Sequence, residues 1–174
     1  MRLVIFLLCA AAAFAQRVTI PLDGTWQIED SLGPNDTPKQ WRHTVPVPGL
    51  ANLAQPGFAN VDEFDSREVI NNRIRSKILP PEALPKTVGN PKQNRTYFWY
   101  RRTFAAPAAK QVAILKVGKA QFGTAVWVNG KSVGEHAGCF TAGYFDVTPA
   151  IRWNTENEVI VRIGAHPAAL PASI

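Results

Sequence analysis

Neighbouring carboxylates are what general acid–base catalysis and glycoside hydrolysis need, and the sequence has them at Glu29 and Asp30, at Asp62 and Glu63, and at Asp65 and Glu68. On a strand, a helix cap and a helix, all three pairs fit solvated roles. The histidines, His43, His136 and His166, are far apart and match no metal-ligand spacing, so no metal site is expected. No nucleophile elbow is read from the chain, and Cys139 in "HAGCFTAG" has only His136 near it in sequence, which suits a small buried residue. One acid stands apart. Glu135 lies in "VWVNGKSVGEHAG", residues 126–138, among glycines that let backbone approach a ligand, although a structural role is favoured for it. These residues therefore predict no catalytic group, no metal and no cofactor.

The elements that must position these side chains are mostly strands. Around Asn129-Gly130 the chain alternates apolar and polar residues on both sides of a two-residue turn, the signature of a β-hairpin. Trp127 alternates with Val126 and Val128, and the indole is expected in the core. "LDGTWQIED" predicts a turn and then a strand with Trp26 pointing inward. In "KQWRHTVPVPGLAN", Pro46 and Pro48 each lack a ladder donor, which restricts the segment to a sheet edge or a rim. "TYFWYRRTF", "QVAILKVGKAQ", "GYFDVT" and "NEVIVRIGA" add further strands, and "VTPAIRW" reads as a helical turn capped by Thr148. Only "NVDEFDSREVINNRIRSKIL" has helical spacing, through Val61, Phe64, Ile70, Ile74 and Ile78, with Pro80-Pro81 as the stop. Many short strands with one helix predict an all-β sandwich or jelly roll.

Composition narrows the function classes. A chain of 174 residues with 46% hydrophobic residues predicts one globular domain. "MRLVIFLLCAAAAFAQ" has the layout of a cleavable secretory signal with cleavage after Ala15, which predicts a secreted or periplasmic domain over residues 16–174 with no membrane anchor. Loss of Cys9 with that signal leaves Cys139 as the only thiol, so no internal disulfide is expected. The formal charge is +6, with Lys and Arg concentrated between Arg67 and Lys119. A solvated basic face is preferred to a nucleic-acid surface, because no nucleic-acid module signature accompanies it.

"LDGTWQIE", "YFWYRRTF", "VWVNGKSVGEHAGCFTAGYFDVTPAI" and "NEVIVRI", in this order, resemble the N-terminal sugar-binding, galactose-binding-like jelly roll of family 2 glycoside hydrolases, the group of β-galactosidases, β-glucuronidases and β-mannosidases. The resemblance implies an all-β jelly-roll sandwich with a helix-containing insertion at about 60–94. It also implies that the chain stops before the jelly roll's own last strand. Asn129, Gly130, Gly134, Gly138, Asp146 and Asn157 take structural places in the family pattern, Trp26 and Trp127 are structural by their strand alternation, and Glu135 and His136 decorate a rim loop beside the active site of relatives. Asn90 in "VGNP" is the nearest match to an asparagine that reaches the active-site mouth in some relatives. Catalytic glutamates in this family belong to a later barrel, so the implied function is a noncatalytic carbohydrate-binding module of a secreted β-glycosidase. Its implied partners are the parent enzyme's remaining domains and a glycan. A free-standing lectin-like protein and a structural adhesion domain are the alternatives.

Overall fold

A computed structural model describes residues 17–59, 61, 67–83, 96–121, 123–138 and 140–164 of the chain. The predicted signal segment, Phe64, the carboxylates Asp62, Glu63 and Asp65, Asn90, Cys139, His166 and the C-terminal segment on which the last-strand expectation rests lie outside these residues.

Among the described residues the strands are β1 (Gly24–Ser31), β2 (His43–Val47), β3 (Tyr97–Ala105), β4 (Ile114–Val117), β5 (Gly123–Val128), β6 (Lys131–His136), β7 (Gly143–Asp146) and β8 (Glu156–Gly164), with the α-helix α1 (Arg67–Arg75) between β2 and β3. Six strands form an antiparallel sheet in the order β2-β1-β3-β8-β5-β6, and β4 pairs with β7 in a second, two-stranded sheet. Pro46 sits in β2, which is an edge strand as its missing donor requires. The fold is an all-β sandwich of antiparallel sheets.

Alternation assigns the two faces of the large sheet. Trp26 and Ile28 of β1, Val126 and Val128 of β5, and Val159 and Val161 of β8 are buried together with Phe145 and Val147 from the small-sheet side. Phe98, Tyr100 and Phe104 of β3 pack against the same cluster. Burial of Tyr100 pushes its phenol up to about 12. The valines, not the indole, are therefore the core residues of β5, and Trp127 is half-buried on the opposite face. The strand period of two forces this once Val126 and Val128 are inside.

The helix is shorter than its sequence pattern. It closes at Arg75, before Pro80, because Lys77 adopts a left-handed conformation with φ 57° and the Ile78 N–H bonds back to the Arg73 carbonyl. Ile70 is buried, whereas Ile78, counted by the periodicity as part of the apolar face, is 70% exposed beyond the helix end. Residues 148–150 form a hydrogen-bonded turn, but Thr148 does not cap it. Its backbone N–H donates to Asp146 Oδ1, and its hydroxyl instead accepts the N–H of Ala113.

Candidate functional site

The β5–β6 hairpin turns on Asn129, φ 50°, and Gly130, φ 78°, the pair of positive angles a type I′ turn requires. Asn129 is also a tie. Its amide donates to the Ala150 carbonyl and to Asn157 Oδ1, and its oxygen accepts the Glu158 N–H. Asn157 is 1% exposed and closes its own loop through the Arg152 N–H and the carbonyls of Arg152 and Thr155. Asp146, held below its ordinary value of 3.8 by hydrogen bonds from Thr148, fixes the adjoining turn. These three residues staple the hairpin, the 147–151 turn and the start of β8 into one end of the sandwich.

Farther along β6 the register against β5 shifts between Val126 and Trp127, and Gly134 takes up the irregularity with φ 134°, a conformation that disfavours any side chain. The chain segment Gly130-Lys131-Ser132-Val133-Gly134 spells Gly-x-Ser-x-Gly. Ser132 nevertheless pairs with Trp127 just after a hairpin turn, with no helix following, so it is no nucleophile elbow. His136 ends the strand, its Nε2 within hydrogen-bond distance of the Thr141 carbonyl and hydroxyl. A Cβ on Gly138 would collide with that same pair. His136 thus pins the loop that follows β6. Glu135, its neighbour on a strand, points to the other face and accepts a 3.3 Å bond from Arg162. The structure does not bring the two rim residues to one point.

On the outer face of the large sheet, register aligns Glu29, Trp99, Arg162, Ala125 and Glu135 across five strands. The Arg162 guanidinium lies 5.1 Å from the ring of Tyr97, 5.9 Å from Trp99 and 5.7 Å from Trp127, and it also donates to the Pro34 carbonyl. Trp99 is fully buried, its ring tilted against Trp127 at 5.3 Å, with its indole N–H on the Ser31 hydroxyl. Residues 32–42 cross over this part of the face, with Pro34 on Arg162 and Arg42 on Glu29 as clamps.

Glu29 departs from the solvated role its sequence suggests. It is 4% exposed and accepts bonds from the Arg42 N–H, Nε and Nη2 at 3.2, 3.1 and 3.0 Å. Burial pushes its carboxyl up, but the Arg42 hydrogen bonds and the charges of Arg42 and His43 outweigh that and hold it below its ordinary value of 4.5. His43 stacks on Phe58 at 4.1 Å, and its Nδ1–H donates to the Pro56 carbonyl. Every oxygen of this cluster is engaged in holding β2 to β1, which is a structural arrangement.

Beside it an open groove runs between β1 and β3, lined by Thr25, Gln27, Arg101, Arg102 and Thr103. The Arg101 Nε donates to Glu158 at 2.5 Å, and its guanidinium lies 5.7 Å from the Trp41 ring. Arg102 spends its Nη1 on the Leu22 and Asp23 carbonyls. The basic stretch read as a solvated face is thus partly wired into the sheet. Its signal was the alternation of "YFWYRR", which sends Arg101 and Trp99 to one face and Arg102 and Tyr100 to the other. Among the described residues no three His, Cys, Asp or Glu side chains gather as a metal site, and no helix is long and apolar enough to cross a membrane.

Residues 86–171 match the family described as glycosyl hydrolase 2 galactose-binding domain-like. No curated protein matches the chain in sequence. Among solved structures, the chain superposes on the Faecalibacterium prausnitzii β-glucuronidase with a TM-score of 0.58 and 19% identity, covering 83% of this chain and 20% of that one. The β-D-glucuronidase of Dictyoglomus thermophilum gives 0.54 and 19% over 82% and 19%. The Ruminococcus gnavus β-glucuronidase in complex with uronic deoxynojirimycin gives 0.52 and 18% over 82% and 21%. At these identities the likeness is one of fold, and the chain spans about a fifth of each relative's length.

Proposed function

We propose that this chain, whose residues 86–171 match the glycosyl hydrolase 2 galactose-binding domain-like family, is a noncatalytic, carbohydrate-contacting module of a secreted multidomain β-glycosidase. The observation that carries the reading is how the acids of the sandwich are used. Glu29 is clamped by Arg42, Glu158 by Arg101, Glu135 by Arg162, and Asp146 by the Thr148 turn. A glycosidase needs two carboxyl groups facing each other across a sugar bond, one of them free to give a proton. The three glutamates share the outer face of the large sheet, each tied to its own arginine, and Asp146 lies in a turn at its end. The match to one family domain, and to about a fifth of each glucuronidase, supports a role alongside other domains.

Within this reading Glu135, whose side chain is 72% exposed, and the loop pinned by His136 form a rim available to a glycan or to a neighbouring domain. Asn90, proposed for the same rim, lies outside the described residues. The remaining domains of the parent enzyme are the proposed partners, and export through the Met1–Ala15 segment is the proposed route. Purified 174-residue protein incubated with nitrophenyl β-glucuronide, β-galactoside and β-mannoside should release no nitrophenol above a heat-inactivated control. Turnover that one acid substitution abolishes would overturn the noncatalytic role.

A further inference from the structure

We propose that the groove of Thr25, Gln27, Arg101 and Thr103 seats an acidic β-linked oligosaccharide, with a hexuronate carboxylate on the Arg101 guanidinium. The inference rests on the carbohydrate-contacting role above and gives it a place on the sheet face, away from the rim.

The groove has the required chemistry. Thr25 and Gln27 from β1 and Thr103 from β3 are exposed on one face, and they offer hydroxyl and amide groups that both donate and accept, as vicinal sugar hydroxyls need. Arg101 is preorganised by Glu158 through Nε, while its two terminal nitrogens have no hydrogen-bond acceptor among the described residues. That leaves a planar pair of donors matched to a carboxylate. Trp41 lies beside this donor pair, its ring 5.7 Å from the guanidinium, and helps hold it in place.

The register extends the seat. Gln27, Arg101, Ile160, Trp127 and Ser132 align across the sheet, so the half-buried Trp127 lies two strands from Arg101. At about 4.8 Å per strand this is a span of roughly 10 Å, room for a second sugar ring. Glu158 answers Arg101 only through Nε, and the two terminal nitrogens it leaves unmatched favour an anionic sugar over a neutral one.

Titration calorimetry of the purified chain with cellobiouronic acid, a β-linked glucuronate–glucose disaccharide, and with cellobiose tests this directly. The acidic sugar should bind more tightly. Arg101→Gln should weaken it about tenfold or more, as expected for a lost charge-assisted pair. Gln27→Ala, which removes only an exposed side chain, should weaken it several-fold with an unchanged melting curve, which covers the case of Arg101→Gln unfolding. Lys110→Gln, at an exposed loop position apart from both the groove and the rim, should bind as the unaltered protein does. If neither sugar binds, or if folded Arg101→Gln and Gln27→Ala variants both bind normally, the groove is not the seat. Binding lost on His136→Ala but kept in Arg101→Gln would also overturn it, moving the contact to the rim and leaving the module reading intact. Cleavage of the disaccharide would instead overturn the noncatalytic reading.

Discussion

Single residues hold this sandwich together mainly by satisfying buried polar atoms. Asn157 shows it most fully, since its side chain makes four hydrogen bonds inside the protein and is 1% exposed. Asn157→Ala should cost about 2 to 4 kcal/mol in chemical denaturation, because it strands the Arg152 N–H and two carbonyls without partners. The two adjoining tryptophans make a graded test. Trp99→Ala should cost about 3 to 5 kcal/mol, and Trp127→Ala measurably less, because only Trp99 is fully buried. Glu29 sets a pH dependence. Its folded carboxyl lies below its ordinary 4.5, so the stability it contributes is complete above that value and is lost as pH falls through the folded one. Melting temperature should therefore drop on acidification below about pH 4.5, and Glu29→Gln should flatten that drop while lowering stability at neutral pH by about 1 to 3 kcal/mol. Asp146 is displaced in the same direction and adds to the acid limb. That Asn129, Asp146 and Asn157 serve turns was readable in the sequence from their types and neighbours. That Glu29 is buried was not, because its partner Arg42 is supplied by a chain reversal thirteen residues away, which no local pattern encodes.

At the scale of elements, alternation and turn chemistry located β1, β3, β5, β6, β7 and β8 because these carry side-chain rows of period two bounded by Gly, Asn, Asp or Pro. They did not decide which row faces inward on β5, since valine and tryptophan both suit a sheet buried on two sides. Nor did they locate the end of α1, where backbone closure at Lys77 preceded the proline stop. The β6 irregularity has a direct consequence. Gly134→Ala forces φ 134° on a residue with a Cβ and should cost about 1 to 3 kcal/mol, read by urea denaturation. Gly130→Ala, at φ 78° in open space, should cost less, since a Cβ there meets nothing within 4 Å.

Over the whole molecule, the large sheet is covered on both faces but unequally. One face meets the β4–β7 pair across the apolar core, while the other is partly roofed by residues 32–42 through the Arg162 and Arg42 clamps and elsewhere open as the Arg101 groove. The sandwich was legible because its apolar rows lie close together in sequence. The groove was not, because it joins Gln27 and Arg101 from segments that pair only after folding. Contact with β-linked glycans without cleavage can be followed by saturation-transfer proton NMR of cellobiouronic acid with the purified chain over a day. Transfer to the sugar ring protons with the disaccharide signals undiminished is expected, and growth of free glucuronate and glucose signals, abolished by one acid substitution, would contradict it.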